Sequence, residues 1–175
     1  METICSRALA DPLFRRIGRI ADRIFDRHAE GGAKIVLISG PSSSGKTTFA
    51  KRLGIQLSIL GMDPVLISLD DYFVDREHTP RDEKGDYDYE ALEAVDVATF
   101  NDDLSRLLRG EEAEIPRYNF ITGQREYVGR RLRMTERSVL IVEGIHGLNP
   151  NLTPHIEAKM KFKIYVSALT SIAMD

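Results

Sequence analysis

The chain has 175 residues, a length that suits one domain with a sizeable core. Its hydrophobic share of 42% and charged share of 29% are ordinary for a globular protein, and a net charge of −3 argues against a general nucleic-acid or membrane-surface binder. The single cysteine, Cys5, excludes an intrachain disulfide framework and points to a reducing, cytoplasmic setting, and no apolar run reaches the roughly 18 residues of a membrane span.

In chain order, Asp11-Pro12 opens a helix, with Asp11 as N-cap and Pro12 at the first helical position. Leu13, Phe14, Ile17, Ile20, Ala21, Ile24 and Phe25 fall on one face, and Gly31-Gly32 ends it. This is an amphipathic helix rather than a signal peptide. His28 near its end reads as a helix C-terminal charge partner rather than a ligand. Residues 34–39 form an apolar strand. Then comes Gly40-Pro41-Ser42-Ser43-Ser44-Gly45-Lys46-Thr47-Thr48, which is G-x-x-x-x-G-K-T, a phosphate-binding loop. A helix to about Leu60 follows, with Phe49, Leu53, Leu57 and Leu60 inward and Gly61 as its stop. Residues 64–69 make a second apolar strand. Strand, helix and strand at this spacing imply a right-handed βαβ unit and a parallel sheet covered on both faces.

Residues 70–90 are a long polar loop with Tyr72, Phe73, Tyr87 and Tyr89 interspersed, a pattern of function rather than disorder. Asp96 caps a helix over about 97–109. Residues 115–120 are extended, Thr122-Gly123 is a turn, and 125–128 with 131–134 flank Gly129-Arg130 as a small antiparallel hairpin. Arg125, Arg130, Arg131 and Arg133 form the main basic patch, either a solvated hairpin edge or a group near phosphates. Residues 138–142 are another fully apolar strand, ended by Glu143-Gly144. A last strand covers 161–167, and a helix starts at Thr170 and runs to Asp175.

In a parallel α/β sheet, ligands bind beyond the carboxyl ends of the strands. Three strand ends here carry suitable groups. The loop amides and Lys46 would hold phosphates, and the hydroxyl of Thr47 would face Mg²⁺. Glu143 is assigned to the same metal and Asp70 to the general base that accepts a hydroxyl proton. Asp71 is the rival base, pointing elsewhere if the extended geometry persists. A turn or helix cap remains the alternative for Asp70, and a structural acid for Glu143. His78, His146 and His155 lack metal-ligand spacing.

Taken together, G-P-S-S-S-G-K-T-T at 40–48, S-L-D-D-Y-F at 68–73, Y-D at 87–88, P-R-Y-N-F at 116–120, Arg125 and V-E-G-I-H-G-L at 142–148 resemble the uridine kinase and phosphoribulokinase family of P-loop kinases. The resemblance runs from about residue 34 onward. It implies an α/β P-loop kinase core, a five-stranded parallel sheet with helices on both faces and a small antiparallel hairpin on the substrate side. It implies Asp70 as base for a 5′-hydroxyl and Glu143 at Mg²⁺. It places Tyr72, Asp88, Tyr118, Phe120 and Arg125 on the acceptor side, with Asp88 at the ribose hydroxyls and Tyr118, Asn119 and Phe120 lining the base pocket. Ordinary hairpin packing is the alternative for Tyr118 and Phe120.

Three departures stand out. Asn119 replaces the family's usual Asp. Gly123 occupies the position of a base-contacting histidine. The phosphate-clamping lid is expected after Asp175, so residues 33–175 read as a kinase domain lacking it, and 1–32 as an N-terminal helix or linker. The leading expectation is an ATP- or GTP-dependent kinase for uridine or cytidine. A kinase for another sugar or small alcohol, and a nucleotide-sensing regulatory module with little catalysis, are the alternatives. The expected partners are a nucleoside triphosphate and a small acceptor, with no nucleic acid and no membrane. Self-association and additional domains are left open.

Overall fold

The computed structural model of the protein describes residues 12–167. Cys5, the Asp11 cap and the helix expected from Thr170 to Asp175 lie outside the described residues.

Helix α1 (Pro12–Ala29) arises from apolar side chains at three- and four-residue spacing. Ile17, Ala21 and Ile24 are buried, with Leu13 and Ile20 packed beside them. Phe25, expected on the same face, lies at its edge and is 40% exposed. The helix stops where Gly31 turns left-handed and the Gly32 amide reaches back to the Arg27 carbonyl at 2.8 Å. His28 is structural, its ring lying between the carbonyls of Ala33 (3.1 Å) and Glu136 (2.9 Å).

The βαβ unit forms as expected, from β1 (Ile35–Ser39), α2 (Lys46–Ile59) and β2 (Asp63–Ser68). Leu69, expected in the strand, instead begins a 3₁₀ turn over Leu69–Tyr72. Helix α3 (Val97–Leu108) is capped by Asp96, which accepts the Thr99 amide at 2.9 Å. Four short strands follow: β3 (Ala113–Glu114), β4 (Arg117–Asn119), β5 (Gln124–Glu126) and β6 (Arg131–Leu132). Strands β7 (Ser138–Glu143) and β8 (Lys161–Tyr165) complete the order.

The main sheet runs β2-β7-β1-β8 with every pair parallel. Among the described residues it has four strands, where the resemblance implied five. Central strands β1 and β7 are buried on both faces, and the strand's two-residue period divides their side chains. Ile35, Leu37, Leu140 and Val142 join the core beneath α3, while Val36, Ile38, Val139 and Ile141 join the core beneath α1 and α2. Edge strand β8 is one-sided: Phe162 and Ile164 pack inward and Lys163 and Tyr165 face solvent.

The expected hairpin between 125–128 and 131–134 is not formed. Strand β5 pairs with β4, and β6 pairs with β3. The turn at Gly123 decides this. Asn119 accepts the Ile121 and Thr122 amides on its side-chain oxygen, and Gly123 at φ 72 donates to the Asn119 carbonyl at 2.7 Å, which folds β5 back on β4.

Tyr72, expected on the acceptor side, is a core residue. It is 0% exposed, stacks edge-on against Phe100 at 5.2 Å and donates its hydroxyl to the buried Asp103 at 3.0 Å. Burial raises the Asp103 carboxyl, and the Tyr72 hydroxyl works against that rise. Tyr72→Phe leaves this acid without its donor and is expected to cost about 1–3 kcal/mol. The check is a lower urea midpoint with an unchanged slope.

Candidate functional site

The loop between β1 and α2 is shaped by its close contacts. A Cβ on Gly40 would lie 2.2 Å from the Val166 carbonyl and 2.8 Å from the Ser44 hydroxyl, so only glycine passes here. Ser43 (φ 59) and Gly45 (φ 85) are both left-handed, a sequence of turns that makes a concave nest of backbone amides. Gly45 is the N-cap of α2 and brings no side chain to cap it, so the first helical amides stay available to an anion. Pro41, Ser42, Thr47 and Thr48 are exposed around this cradle, and Lys46 folds over it, donating to the Pro41 carbonyl at 2.7 Å.

Register places the acids. Strand β7 lies between β1 and β2, with Glu143 opposite Ile38 on one side and Ser68 on the other. The Glu143 carboxylate is buried and accepts the Thr47 hydroxyl at 3.1 Å. Two hard oxygen donors so close together suit Mg²⁺. Asp70 follows β2 by two residues and feels the charges of both Glu143 and Lys46. Its own face is open to solvent while protein crowds it from behind. That crowding, with Glu143 beside it, raises the Asp70 carboxyl above its ordinary value, and Lys46 offsets the rise only in part.

Asp71 does point away, for a different reason than extended geometry. The turn at Leu69–Tyr72 swings it toward Arg130, whose guanidinium bonds it at 3.3 Å and also donates to the Leu66 carbonyl at 2.6 Å. The Tyr118 amide reaches Asp71 too. Its carboxylate is thereby engaged, while Asp70 has a free side. The other members of the basic patch are engaged as well. Arg125 pairs with the capping Asp96 at 2.7 Å, Arg131 with Glu112 at 3.3 Å, and Arg133 donates to the Gly110 carbonyl at 2.8 Å. Burial opposes the Asp96 charge, but the Thr99 amide and Arg125 outweigh it and hold the carboxyl below its usual value. Arg125, expected at the substrate, thus fastens β5 to the start of α3.

Beyond Asp70 an aromatic cluster forms. Phe73 lies 5.1 Å from Tyr89, 5.6 Å from Tyr118 and 6.2 Å from Phe120, mostly edge to face. Tyr118 is buried and its hydroxyl meets that of Tyr89 at 3.2 Å, whereas Phe120 is 57% exposed. Burial pushes the Tyr118 hydroxyl up to about 12. Asp88 caps the next turn, accepting the Glu90 and Ala91 amides on one oxygen.

Arg76 is a member that sequence reasoning missed. Its guanidinium donates to the Phe120 carbonyl at 2.6 Å and to the Tyr89 hydroxyl at 3.4 Å, and a Cβ on Gly123 would fall 2.8 Å from it. The signal was half present: Gly123 was seen as a departure, but nothing in the sequence links it to a residue 47 positions earlier. The 3₁₀ turn at Arg76–His78 also gathers Asp75, Glu77 and His78 within 4.8 Å. One Asp75 oxygen there already accepts the Arg125 amide at 2.9 Å, and Glu77 and His78 are exposed.

A glycine-rich loop joining β1 to α2, with an acid on the neighbouring strand facing the loop's threonine, defines a P-loop fold of the phosphotransferase kind. Over residues 35–174 the sequence matches the Phosphoribulokinase / Uridine kinase family, and the chain belongs to it. It is 29% identical over 126 residues to a uridine-cytidine kinase C of Dictyostelium discoideum, covering 72% of this chain and 26% of that one. It is 33% identical over 113 residues to a uridine kinase of Shewanella denitrificans, covering 63% of this chain and 52% of that one. The chain thus spans from about a quarter to about half the length of these two relatives. The fold is similar to that of a possible uridine kinase from Bacillus stearothermophilus, with a TM-score of 0.60 at 24% identity over 84% of this chain and 80% of that one. Helix α1 lies ahead of the matched residues. Among the described residues no helix is long and apolar enough to cross a membrane.

Because the folded protein raises the Asp70 carboxyl, ionising it costs stability as pH climbs above the ordinary value of 3.8. Asp70→Asn is therefore expected to melt higher than the parent at neutral pH, with the gain shrinking toward zero as pH falls to 3.8 and below. Thermal melts across that range are the check. Gly123→Ala is expected to destabilise by about 1–3 kcal/mol, from its left-handed backbone and the contact with Arg76. A denaturant titration measures it.

Proposed function

We propose that the chain binds ATP or GTP at residues 40–48 and transfers the γ-phosphoryl group to a hydroxyl of a small acceptor. The observation that carries this reading is the convergence of Lys46, Thr47, Glu143 and Asp70 at three adjoining strand ends. The loop amides and Lys46 bind the phosphates. Thr47 and Glu143 hold Mg²⁺, which when bound offsets negative charge on the phosphates. Asp70 orients the acceptor hydroxyl and takes its proton. The acceptor oxygen bonds to the γ-phosphorus as the bond from that phosphorus to the β–γ bridging oxygen breaks, and ADP or GDP leaves. A carboxyl raised above its ordinary value is a better base than an ordinary one.

The acceptor we favour is the 5′-hydroxyl of uridine or cytidine, because the relatives bear those names. The aromatic cluster of Phe73, Tyr89, Tyr118 and Phe120 suits a flat ring, and the free oxygen of Asp88 suits ribose hydroxyls. A second reading, another sugar or small alcohol, is favoured by one feature. Where the family pattern has a histidine, Gly123 leaves room that the Arg76 guanidinium takes. Asn119, the other departure, is committed to the turn and to Glu126 at 2.8 Å.

ADP release measured over a panel of nucleosides, sugars and sugar phosphates separates the two readings. Asp70→Asn is expected to keep nucleotide affinity within about two-fold while cutting turnover by about 10²–10⁴-fold. Parent-like turnover in that variant would remove Asp70 as the base. Absence of acceptor-dependent ADP release across the whole panel, in the full-length protein, would leave a nucleotide-binding module without transfer.

A further inference from the structure

A cavity of about 600 Å³ opens on the side of the loop away from the acids. Its wall is mostly apolar and comes from three sources. Arg16 and Ile20 belong to α1, Ser44, Phe49 and Arg52 to the loop and α2, and Tyr165 to the end of β8. The Ser44 hydroxyl is buried and has no hydrogen-bond partner among the described residues.

The sheet order fixes what this space faces. Strand β1, which carries the loop, has β7 and β2 on one flank and β8 on the other. Glu143 and Asp70 stand at the ends of β7 and β2, so the γ end of a bound triphosphate points to that flank. The nucleoside end of the same molecule leaves the loop toward β8 and α1. The cavity there is continuous with the loop, since Ser44 and Gly45 line both. A nucleoside fits in its volume. Phe49 and the exposed guanidinium groups of Arg16 and Arg52 offer flat partners for a base.

We infer that α1, which lies outside the family-matched residues, forms one wall of the site for the base and ribose of the nucleotide donor, with Arg16 and Ile20 as its contact residues. This rests on the nucleotide-binding part of the function proposed above. It gives α1 a task beyond packing. Donor affinity becomes a property of the helix and the P-loop core together, not of the core alone.

The test compares two probes, the Mg²⁺ complexes of ATP and of inorganic tripolyphosphate. Both engage the loop, and only ATP reaches the cavity. Binding is measured by calorimetry on the full-length protein, with Arg16→Ala and Ile20→Trp as variants. Ile20→Trp fills the space, and Arg16→Ala alters only an exposed side chain, so it decides the matter if the first fails to fold. The expected result is ATP affinity lower by about ten-fold in each folded variant, with tripolyphosphate affinity within about two-fold of the parent. Unchanged ATP affinity, equal loss for both probes, or a parent protein that prefers neither probe would overturn the inference. If ATP is lost selectively yet no acceptor triggers ADP release, the wall formed by α1 stands and the transfer reaction is what fails.

Discussion

The parallel register that sets Ile38, Glu143 and Ser68 abreast is the constraint from which the rest of the site follows. Ile38 is one residue short of the end of β1, so the loop begins just beyond it. Glu143 is the last residue of β7, and Ser68 ends β2 two residues before Asp70. A slip of one position in β7 would turn Glu143 into one core and bring an apolar neighbour to the loop. The register is itself held by the alternation of side chains between two cores. Val139 and Ile141 cannot exchange places with Leu140 and Val142 without rebuilding both faces. The position of Glu143 is thus set by packing well away from it.

The same closeness has an electrostatic consequence. Glu143 is buried, Asp70 lies near it, and both face a loop made to attract anions. Two carboxylates and a polyphosphate in one cleft repel one another. Lys46 supplies one compensating charge and the loop amides supply dipoles. The hydroxyl of Thr47 on Glu143 adds a hydrogen bond but no charge. A divalent cation would balance these charges, and the oxygen pair of Thr47 and Glu143 is the place that would suit it. Asp71 is drawn aside by Arg130, which offsets only part of the rise that burial and Glu143 impose on its carboxyl. What sets the two adjacent aspartates apart is an arginine 59 positions away along the chain.

That example shows what was legible in the sequence and what was not. The loop, the strand before it and the acids at the strand ends were readable because each depends on local pattern: apolar runs, glycine spacing, a cap at Asp96. The pairing of β3 to β6 and β4 to β5 was misread because Gly129-Arg130 looks like a hairpin turn, while the true reversal depends on the Asn119 side chain bonding its own turn. Tyr72 looked like a site residue because it lies in a stretch, 68–73, that matches the family, but the 3₁₀ turn carries neighbours to different sides and buries it on Phe100. Arg125 matched a family position, yet its partner Asp96 could not be named from spacing. Arg76 carried half a signal, the departure at Gly123, because its role depends on the space over that distant glycine.

The aromatic cluster around Phe73 shows why departures from a family pattern should be read in pairs. Gly123 alone looks like a loss, a hydrogen-bonding side chain traded for none. In the fold the space is filled. Arg76 spans it, bonded to the Phe120 carbonyl and to Tyr89, which in turn meets Tyr118. A neutral donor and acceptor has been replaced by a planar cation with several N–H groups, held at the rim of an aromatic cluster. Such a group hydrogen-bonds ring carbonyls as an imidazole can, and it also attracts anionic substituents that an imidazole at neutral pH holds weakly. As an acceptor site under the proposed function, the cluster keeps a flat, apolar body suited to a ring while its edge would favour acceptors richer in oxygen. In the proposed function, substrate preference turns on that single exchange of a side chain at one position for a guanidinium from another.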